Sequence, residues 1–221
     1  MAPSFGWLIR ATGSPADLRR IAAGLAGGNV KADVDGESLY LISPDVNEMD
    51  IQTSAEWASY ELVRLISAAA YLRFGTASPV RFHSVQGQTD LFTASPKVHS
   101  NGHNVSNAPS LWRAVRAAQL RQHVRTALLA SAGGGADGLF RAYEALCTDL
   151  MDYIPGVGTR EWLIEQGWVD ERQEQSFLDT VIHYGRHNIP PSFKPCSPNE
   201  VQELVRRLLD NWIDHVWQLT G

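Results

Sequence analysis

The sequence predicts an α+β protein in which a mixed N-terminal domain precedes an all-helical C-terminal domain. Residues 5–93 alternate between short runs typical of strands and segments with the apolar spacing of amphipathic helices. Residues 95–110 are polar, rich in Gly, Asn, Ser and Pro, and without periodicity. We therefore expect short antiparallel strands and two helices over residues 1–106, and a bundle of about five helices over residues 107–221.

In the N-terminal domain the first elements have clear start and stop signals. Phe5–Ala11 has the β-rich composition of a strand. Ser14, followed by Pro15, predicts the start of a helix, because Ser caps the first turn and Pro fits within it. That helix is expected to end at the glycine pair 27–28. The pair Asp35-Gly36 then predicts a tight turn between two strands of a hairpin.

The remaining N-terminal elements are a second helix and a second hairpin. Thr53, with Glu56 three residues later, forms a capping-box pattern, which predicts a helix to about Phe74. Residues 79–85 and 89–93 flank a Gly-containing segment and predict two paired strands. The expected inner face of the helix consists of Trp57, Leu62, Leu65, Ile66, Ala69 and Leu72.

The C-terminal half contains helix signals only. The first helix is expected to run to about Ala130, and the last to about Leu219. Capping residues and Pro at the first turn support the later starts. In chain order the predicted starts are Asn107 or Ser110, Asp137, Thr159, Asp170 and Ser197.

Charge and composition exclude several classes of function. The chain carries 19 Lys and Arg against 24 Asp and Glu, and both halves are acidic. This balance argues against a broad electrostatic grip on nucleic acid and leaves only a local patch for such a contact. The longest apolar stretch, residues 62–72, is too short to span a bilayer. No membrane partner is therefore expected.

The sequence carries no strong cofactor or metal motif. The glycine run at 133–138 lacks the Gly-Lys-Ser/Thr ending of a phosphate-binding loop. His99 and His103 lie in the polar linker without an accompanying Cys or carboxylate. Cys147 and Cys196 are isolated, as is typical of reduced thiols in a cytoplasmic protein. We expect neither a cofactor nor a metal.

Polar residues crowd the end of the helix that begins at Asp170. His183, Arg186 and His187 lie there, just before a Pro-Pro stop, where a helix end favours cations. In one interpretation Glu144 meets this cluster across the bundle and forms a structural network. In another, a histidine transfers a proton while Arg186 stabilises developing negative charge. A third notes that Asp179 shares a helix face with the two histidines, the spacing of metal ligands.

Four short segments of the C-terminal half occur in a characteristic order: Leu139 to Glu144, Gly167-Trp168, the Arg186-His187 pair and Asn211-Trp212-Ile213. In this order, the stretch from Ala127 to Trp217 resembles a recurrent domain of bacterial proteins without a settled activity. It also resembles, more distantly, the HEPN domains, which are helical bundles of toxins and defence systems. Many HEPN domains cleave RNA without a metal, through an Arg and a His four to six residues apart.

The expected function is that of a non-catalytic bacterial interaction or regulatory protein, and the resemblance implies a defence or toxin-type system. It would bind a protein partner or a second copy of itself. Only Arg116 and His123 have the HEPN spacing, which chance alone explains. The alternative is a metal-independent ribonuclease whose catalytic residues are Arg186 and His187, assisted by His183 and Glu144. A third hypothesis is a ligand pocket lined by Tyr143, Tyr184 and Arg186.

Overall fold

A computed structural model describes residues 5–75, 79–89, 111–154, 156–185 and 196–220; over residues 181–185 it describes the backbone only. The chain divides into two compact units, Met1–Val115 and Arg116–Gly221. The boundary predicted after residue 106 lies outside the described residues and stays a prediction.

The first unit is built on a four-stranded antiparallel sheet with the spatial order β2-β3-β1-β4. Its strands are β1 (Phe5–Thr12), β2 (Lys31–Asp35), β3 (Ser38–Ile42) and β4 (Arg81–Thr89). Its helices are α1 (Pro15–Leu25), α2 (Pro44–Asn47) and α3 (Gln52–Phe74). With α1 before β2 and α3 before β4, the order is the β-α-β-β-α-β arrangement of ferredoxin-like units. The predicted α+β class is confirmed.

One face of the sheet forms the core of this unit. Ile9 in β1 lies opposite Leu41 in β3 and Val85 in β4, and all three side chains are buried. Because side chains alternate along a strand, this row and its neighbours share one face. Helix α1 packs against β2 and β3, while α3 packs mainly against β4. The helices therefore cover the apolar face, with Leu18 and Ile66 fully buried.

A β-bulge interrupts the pairing of β1 with β4. Ala11 pairs with Phe82, while the preceding residue of β1 pairs with Ser84, which leaves His83 as an extra residue. An extra residue reverses the alternation of side chains beyond it. Phe82 consequently lies on the helix-covered face, where its ring meets Tyr60 of α3 at 6.2 Å in a perpendicular arrangement.

Several local predictions for this unit are confirmed and others are wrong. The Ser14 side chain accepts a hydrogen bond from the backbone N–H of Asp17, as a cap should. The first hairpin is present, but Asp35 still pairs with Ser38, so its two turn residues are Gly36 and Glu37.

The second hairpin and the start of α3 differ from expectation. Residues 81–89 form one strand, in which Gly87 pairs with Trp7, so no turn lies there. Pairing with β1 along the whole strand outweighs the weak turn tendency of one glycine. Helix α3 begins after Ile51, which makes no side-chain capping bond, and Thr53 lies inside the helix. Trp57, assigned to the inner face, has an exposed fraction of 63%.

The second unit is helical throughout its described residues. Its elements are α4 (Leu111–Leu120), which begins in the first unit, α5 (Gln122–Gly133), α6 (Gly135–Tyr153), α7 (Thr159–Glu165), α8 (Glu171–Gly185) and α9 (Pro198–Thr220). The single helix expected up to Ala130 is two helices, because Arg121 adopts an extended backbone with φ −128° and ψ 113°.

The caps predicted for α8 and α9 are present. The carboxylate of Asp170 accepts the backbone N–H of Gln173 at 2.8 Å. Ser197 and Glu200 form a reciprocal capping box: Oε2 of Glu200 accepts the Ser197 N–H at 2.7 Å, and Ser197 Oγ accepts the Glu200 N–H at 3.3 Å. Both helices therefore begin where short-range sequence signals place them.

The close approach of α1 to the start of α4 gives a test of the packing. A Cβ added at Gly24 would lie 2.8 Å from Leu111 Cβ and 3.0 Å from Phe74 Cζ. We expect Gly24→Ala to lower the free energy of unfolding by about 1–3 kcal/mol through overpacking, although alanine is the better helix former. Urea unfolding followed by circular dichroism measures the change.

Gly133→Ala is the matched control for this substitution. It adds the same methyl group at the last residue of α5, where no atom lies within 4 Å of the new Cβ. Its free energy of unfolding should equal or slightly exceed that of the native protein. Equal stability of both variants would contradict the close contact at Gly24.

Candidate functional site

The structure describes only part of the predicted polar cluster. Arg186 and His187 lie outside the described residues. His183 and Tyr184 fall in the last turn of α8, where the backbone but not the side chains is described. The catalytic, metal and network interpretations of this cluster therefore stay predictions. Within the described ranges, no group of three or more His, Cys, Asp or Glu side chains could hold a metal ion.

The two neighbouring candidates on α6 point in different directions. Glu144 is exposed, and its backbone carbonyl accepts a hydrogen bond from Thr148 Oγ1 at 2.9 Å. Tyr143 turns inward, where its ring packs against Phe177 with centroids 4.9 Å apart. Its hydroxyl donates a hydrogen bond of 2.6 Å to Oε1 of Glu174. The helix thus separates Tyr143 from Glu144 and places Tyr143 in a buried polar contact.

Glu174 is the centre of this buried contact, with an exposed fraction of 1%. Besides the Tyr143 hydroxyl, it faces Arg160, whose Nε lies 2.6 Å from Oε2. Oε2 accepts no well-directed hydrogen bond, so this second contact is an ion pair with the N–H pointing aside. A buried carboxylate needs such compensation, and Arg160 supplies it from the neighbouring helix α7.

The same environment sets the ionisation of Tyr143 and Cys147. Burial, followed by the nearby Cys147 and Glu174, raises the pKa of Tyr143 far above its ordinary value. Burial raises the pKa of Cys147 from 9.0 to about 12, and the charge of Glu174 adds to this. The raised pKa of each group favours its protonated form, which for Cys147 lowers the fraction of reactive thiolate.

A second buried polar contact, centred on Asp149 of α6, was not predicted. The carboxylate has an exposed fraction of 3%. Its two oxygens accept the Nε–H of Arg121 at 3.1 and 2.9 Å, and Oδ2 also accepts the indole N–H of Trp212 at 2.7 Å. A carboxylate beside Leu146 and Leu150, on the apolar face of a helix, is the sequence signal that could have revealed it.

Aromatic rings surround the Asp149 contact. The guanidinium of Arg121 lies 4.7 Å from the centroid of the Tyr153 ring and 5.9 Å from that of Trp212. Trp162 meets Trp212 edge to face at 6.0 Å, and His215 stacks on Trp212 at 5.7 Å. Trp162 and Trp212 are buried and form part of the core of the second unit.

An open depression of about 400 Å³ lies beside α8. Arg160 and Arg172 line it together with Glu171 and Asp179, so opposite charges face each other within it. Nη2 of Arg160 lies 3.5 Å from Glu171, and its Nε is already paired with Glu174. Two cationic and two acidic side chains therefore line the depression, and their formal charges sum to zero.

In the first unit, apolar side chains are exposed at one place on α3. Trp57 has an exposed fraction of 63% and Tyr60 one of 43%, and their rings stack with centroids 6.0 Å apart. Phe82 of β4 meets Tyr60 edge to face, and the guanidinium of Arg64 lies 5.7 Å from the Tyr60 centroid. We call Trp57, Tyr60 and Phe82 the aromatic surface. Ile51, also 63% exposed, precedes the same helix.

The aromatic surface was missed because Trp57 had been assigned to the core. At 100° of rotation per residue, Trp57 lies about 140° from Leu62 and about 180° from Ile66 around the helix. Those two side chains are buried, so Trp57 cannot share their face. The rotation of about 100° per residue is therefore enough to place Trp57 on the outer face. The prediction put it on the inner face because tryptophan is apolar.

The Asp149 contact gives a stability test in the second unit. We expect Asp149→Asn to lower the free energy of unfolding by about 2–3 kcal/mol, because it leaves the charge of Arg121 without its partner. Glu144→Gln removes an exposed carboxylate from the same helix and should change stability by less than about 0.5 kcal/mol. Chemical denaturation of both variants measures the difference; equal stabilities would show that the buried pair contributes little.

The raised pKa of Cys147 gives a chemical test. In a Cys196→Ser background, the native thiol should react with iodoacetamide at pH 8 about a thousandfold more slowly than the same chain in urea, because its thiolate fraction is that much smaller. Native and unfolded rates within tenfold of each other would contradict the raised pKa.

The same shift links stability to alkaline pH. Below pH 9 the thiol is protonated in both states, and its contribution to stability is intact. Between the ordinary value of 9.0 and the native value of about 12, only the unfolded chain releases the proton. The free energy of unfolding should therefore fall across this interval, and Cys147→Ala should reduce the fall.

Comparison with known proteins identifies no relative of this chain. No protein-family model, curated protein or solved structure matches it. Across the described residues, no helix has both the length and the apolar composition needed to cross a membrane.

Proposed function

We propose that the protein is a non-catalytic interaction module and that the aromatic surface binds its protein partner. The observation that carries the proposal is the exposure of Trp57 and Tyr60 on a helix whose other face is fully packed. Folding leaves the apolar surface of this tryptophan in contact with water. Its burial in an interface would remove that surface from water, which favours binding.

The composition of this surface supports a protein partner. Trp, Tyr and Arg are the residue types that dominate the binding energy of protein interfaces. Here Trp57 and Tyr60 stack, and Arg64 lies over the Tyr60 ring. Arg64 also pairs with Glu61 at 2.8 Å, which restricts its side chain before binding. Side chains held in place beforehand lose less conformational entropy when a partner binds.

The internal chemistry of the second unit supports the absence of catalysis. Tyr143 donates to Glu174, and Asp149 is occupied by Arg121 and Trp212. In the described part of this unit, the two buried carboxylates are thus occupied by neighbouring side chains. Removing one partner of such a pair would leave a buried charge uncompensated. Glu144, the one catalytic candidate whose side chain is described, is exposed.

Selection from a peptide library tests the proposal. A phage library of random twelve-residue peptides is panned on the wild-type protein, and the enriched peptides are synthesised. Their affinities are then measured for wild type and for Trp57→Ala/Tyr60→Ala. We expect enriched peptides that lose about thirtyfold or more in affinity for the double variant. Leu120→Ala, a substitution of another exposed apolar residue, is the matched control and should leave affinity unchanged.

Two results would overturn the proposal. One is that no enriched peptide depends on Trp57 and Tyr60. The other is multiple-turnover RNA cleavage in EDTA by the wild type that Arg186→Ala or His187→Ala abolishes without lowering the melting temperature. That second result would establish the ribonuclease alternative.

A further inference from the structure

We propose that the partner supplies an acidic, extended peptide segment that adds to the outer edge of β4 and places apolar side chains on the aromatic surface. This inference rests on the proposed function and specifies its partner. It depends on three properties of the first unit: the open edge of β4, its continuity with the aromatic surface, and its charge.

Among the described residues, one edge of β4 is left for strand pairing. In the order β2-β3-β1-β4, no described strand pairs with β4 on the side away from β1. With nine residues, β4 is about 30 Å long. Beyond the bulge at His83, residues 84–89 contain neither Pro nor a charged side chain, which are features with which proteins commonly block exposed edges. An edge of this length offers a row of backbone donors and acceptors to an incoming strand.

The opposite edge of the sheet differs. In β2 the carboxylate of Asp33 accepts the backbone N–H of Val34 at 2.8 Å, which occupies a donor that an added strand would need. Two carboxylates, Asp33 and Asp35, also lie on this five-residue strand. Charges and self-pairing of this kind protect an edge against strand addition. The two edges of one sheet are therefore unequal, and β4 is the receptive one.

The bulge joins the β4 edge to the aromatic surface. Because His83 is the extra residue, Phe82 turns to the helix-covered face and meets Tyr60 of α3. A strand lying along β4 consequently runs beside α3, and its alternate side chains face Trp57 and Tyr60. Backbone pairing and side-chain burial would act on the same peptide.

The charge of this region favours an acidic peptide. Strands β1 and β4 contain Arg10, Arg81 and His83 and no carboxylate, whereas the whole chain has a net charge of −5. Complementary charge on a partner raises the rate and specificity of association. A single-stranded nucleic acid is also acidic, but it has no peptide N–H and C=O groups to pair with the β4 backbone.

A defined peptide pair tests charge and strand addition together. The probe is a fluorescent nine-residue peptide in which Val and Tyr alternate with Asp and Glu, and its control has Lys at the acidic positions. We expect fluorescence anisotropy to show binding of the acidic peptide only. Arg81→Glu, on the face of β4 opposite Phe82, should weaken that binding about tenfold. Arg19→Glu, an exposed arginine on α1, should leave it unchanged.

Amide hydrogen exchange tests the position of the peptide. Bound acidic peptide should slow exchange at residues 84–89 of β4 and leave β2 unchanged. Binding without slower exchange in β4, or equal binding of the Lys peptide, would overturn strand addition. Tighter binding of an oligouridylate than of the acidic peptide, lost in Arg81→Glu, would overturn it in favour of nucleic acid.

These outcomes separate the inference from the proposed function. Library peptides that require Trp57 and Tyr60 but do not protect β4 would leave the interaction module standing and remove strand addition. If no peptide requires the two aromatic residues, both proposals fall.

Discussion

The helical unit depends on one buried carboxylate, that of Asp149. Asp149 lies on α6. Its carboxylate accepts hydrogen bonds from Arg121, at the junction of α4 and α5, and from Trp212, in the middle of α9. Three segments distant in sequence are thereby fixed at one point. The aromatic rings of Tyr153 and Trp162 then pack on the two donors. A buried ion has few acceptable arrangements, so it specifies which helices meet more strictly than apolar contacts do.

The two units use polar chemistry differently. In the second unit, buried acids and their partners satisfy each other, and the raised pKa of Tyr143 and Cys147 follows from the same burial. In the first unit, the notable groups are aromatic and lie at the surface. The exposed rings of α3 can still be buried against another molecule, and that burial is favourable. A carboxylate that already accepts its hydrogen bonds gains no further bond from a partner. Binding is therefore expected at α3 and the neighbouring strand β4.

Sequence reasoning succeeded where the cause is local. Ser14, Asp170 and Ser197 cap their helices through bonds spanning three residues, and a short window of sequence contains both partners. It failed where the cause is distant. The path of β4 depends on pairing with β1, and the break at Arg121 coincides with the reach of its side chain to Asp149. For the candidate site, Tyr143 is placed in a real polar contact, but its partner is Glu174 on α8, a contact that local periodicity does not reveal.

The position of β4 in the chain has a consequence for the order of assembly. Its partner β1 is the first strand, so Phe5 pairs with Thr89 across nearly the whole unit. During synthesis, α3 is complete before β4 has left the ribosome, and Tyr60 then lacks Phe82 beside it. Closing so long a loop costs more entropy than forming the β2–β3 hairpin. The aromatic surface, in which Phe82 lies beside Tyr60, is thus a property of the finished unit, and a chain that ends before Arg81 lacks it.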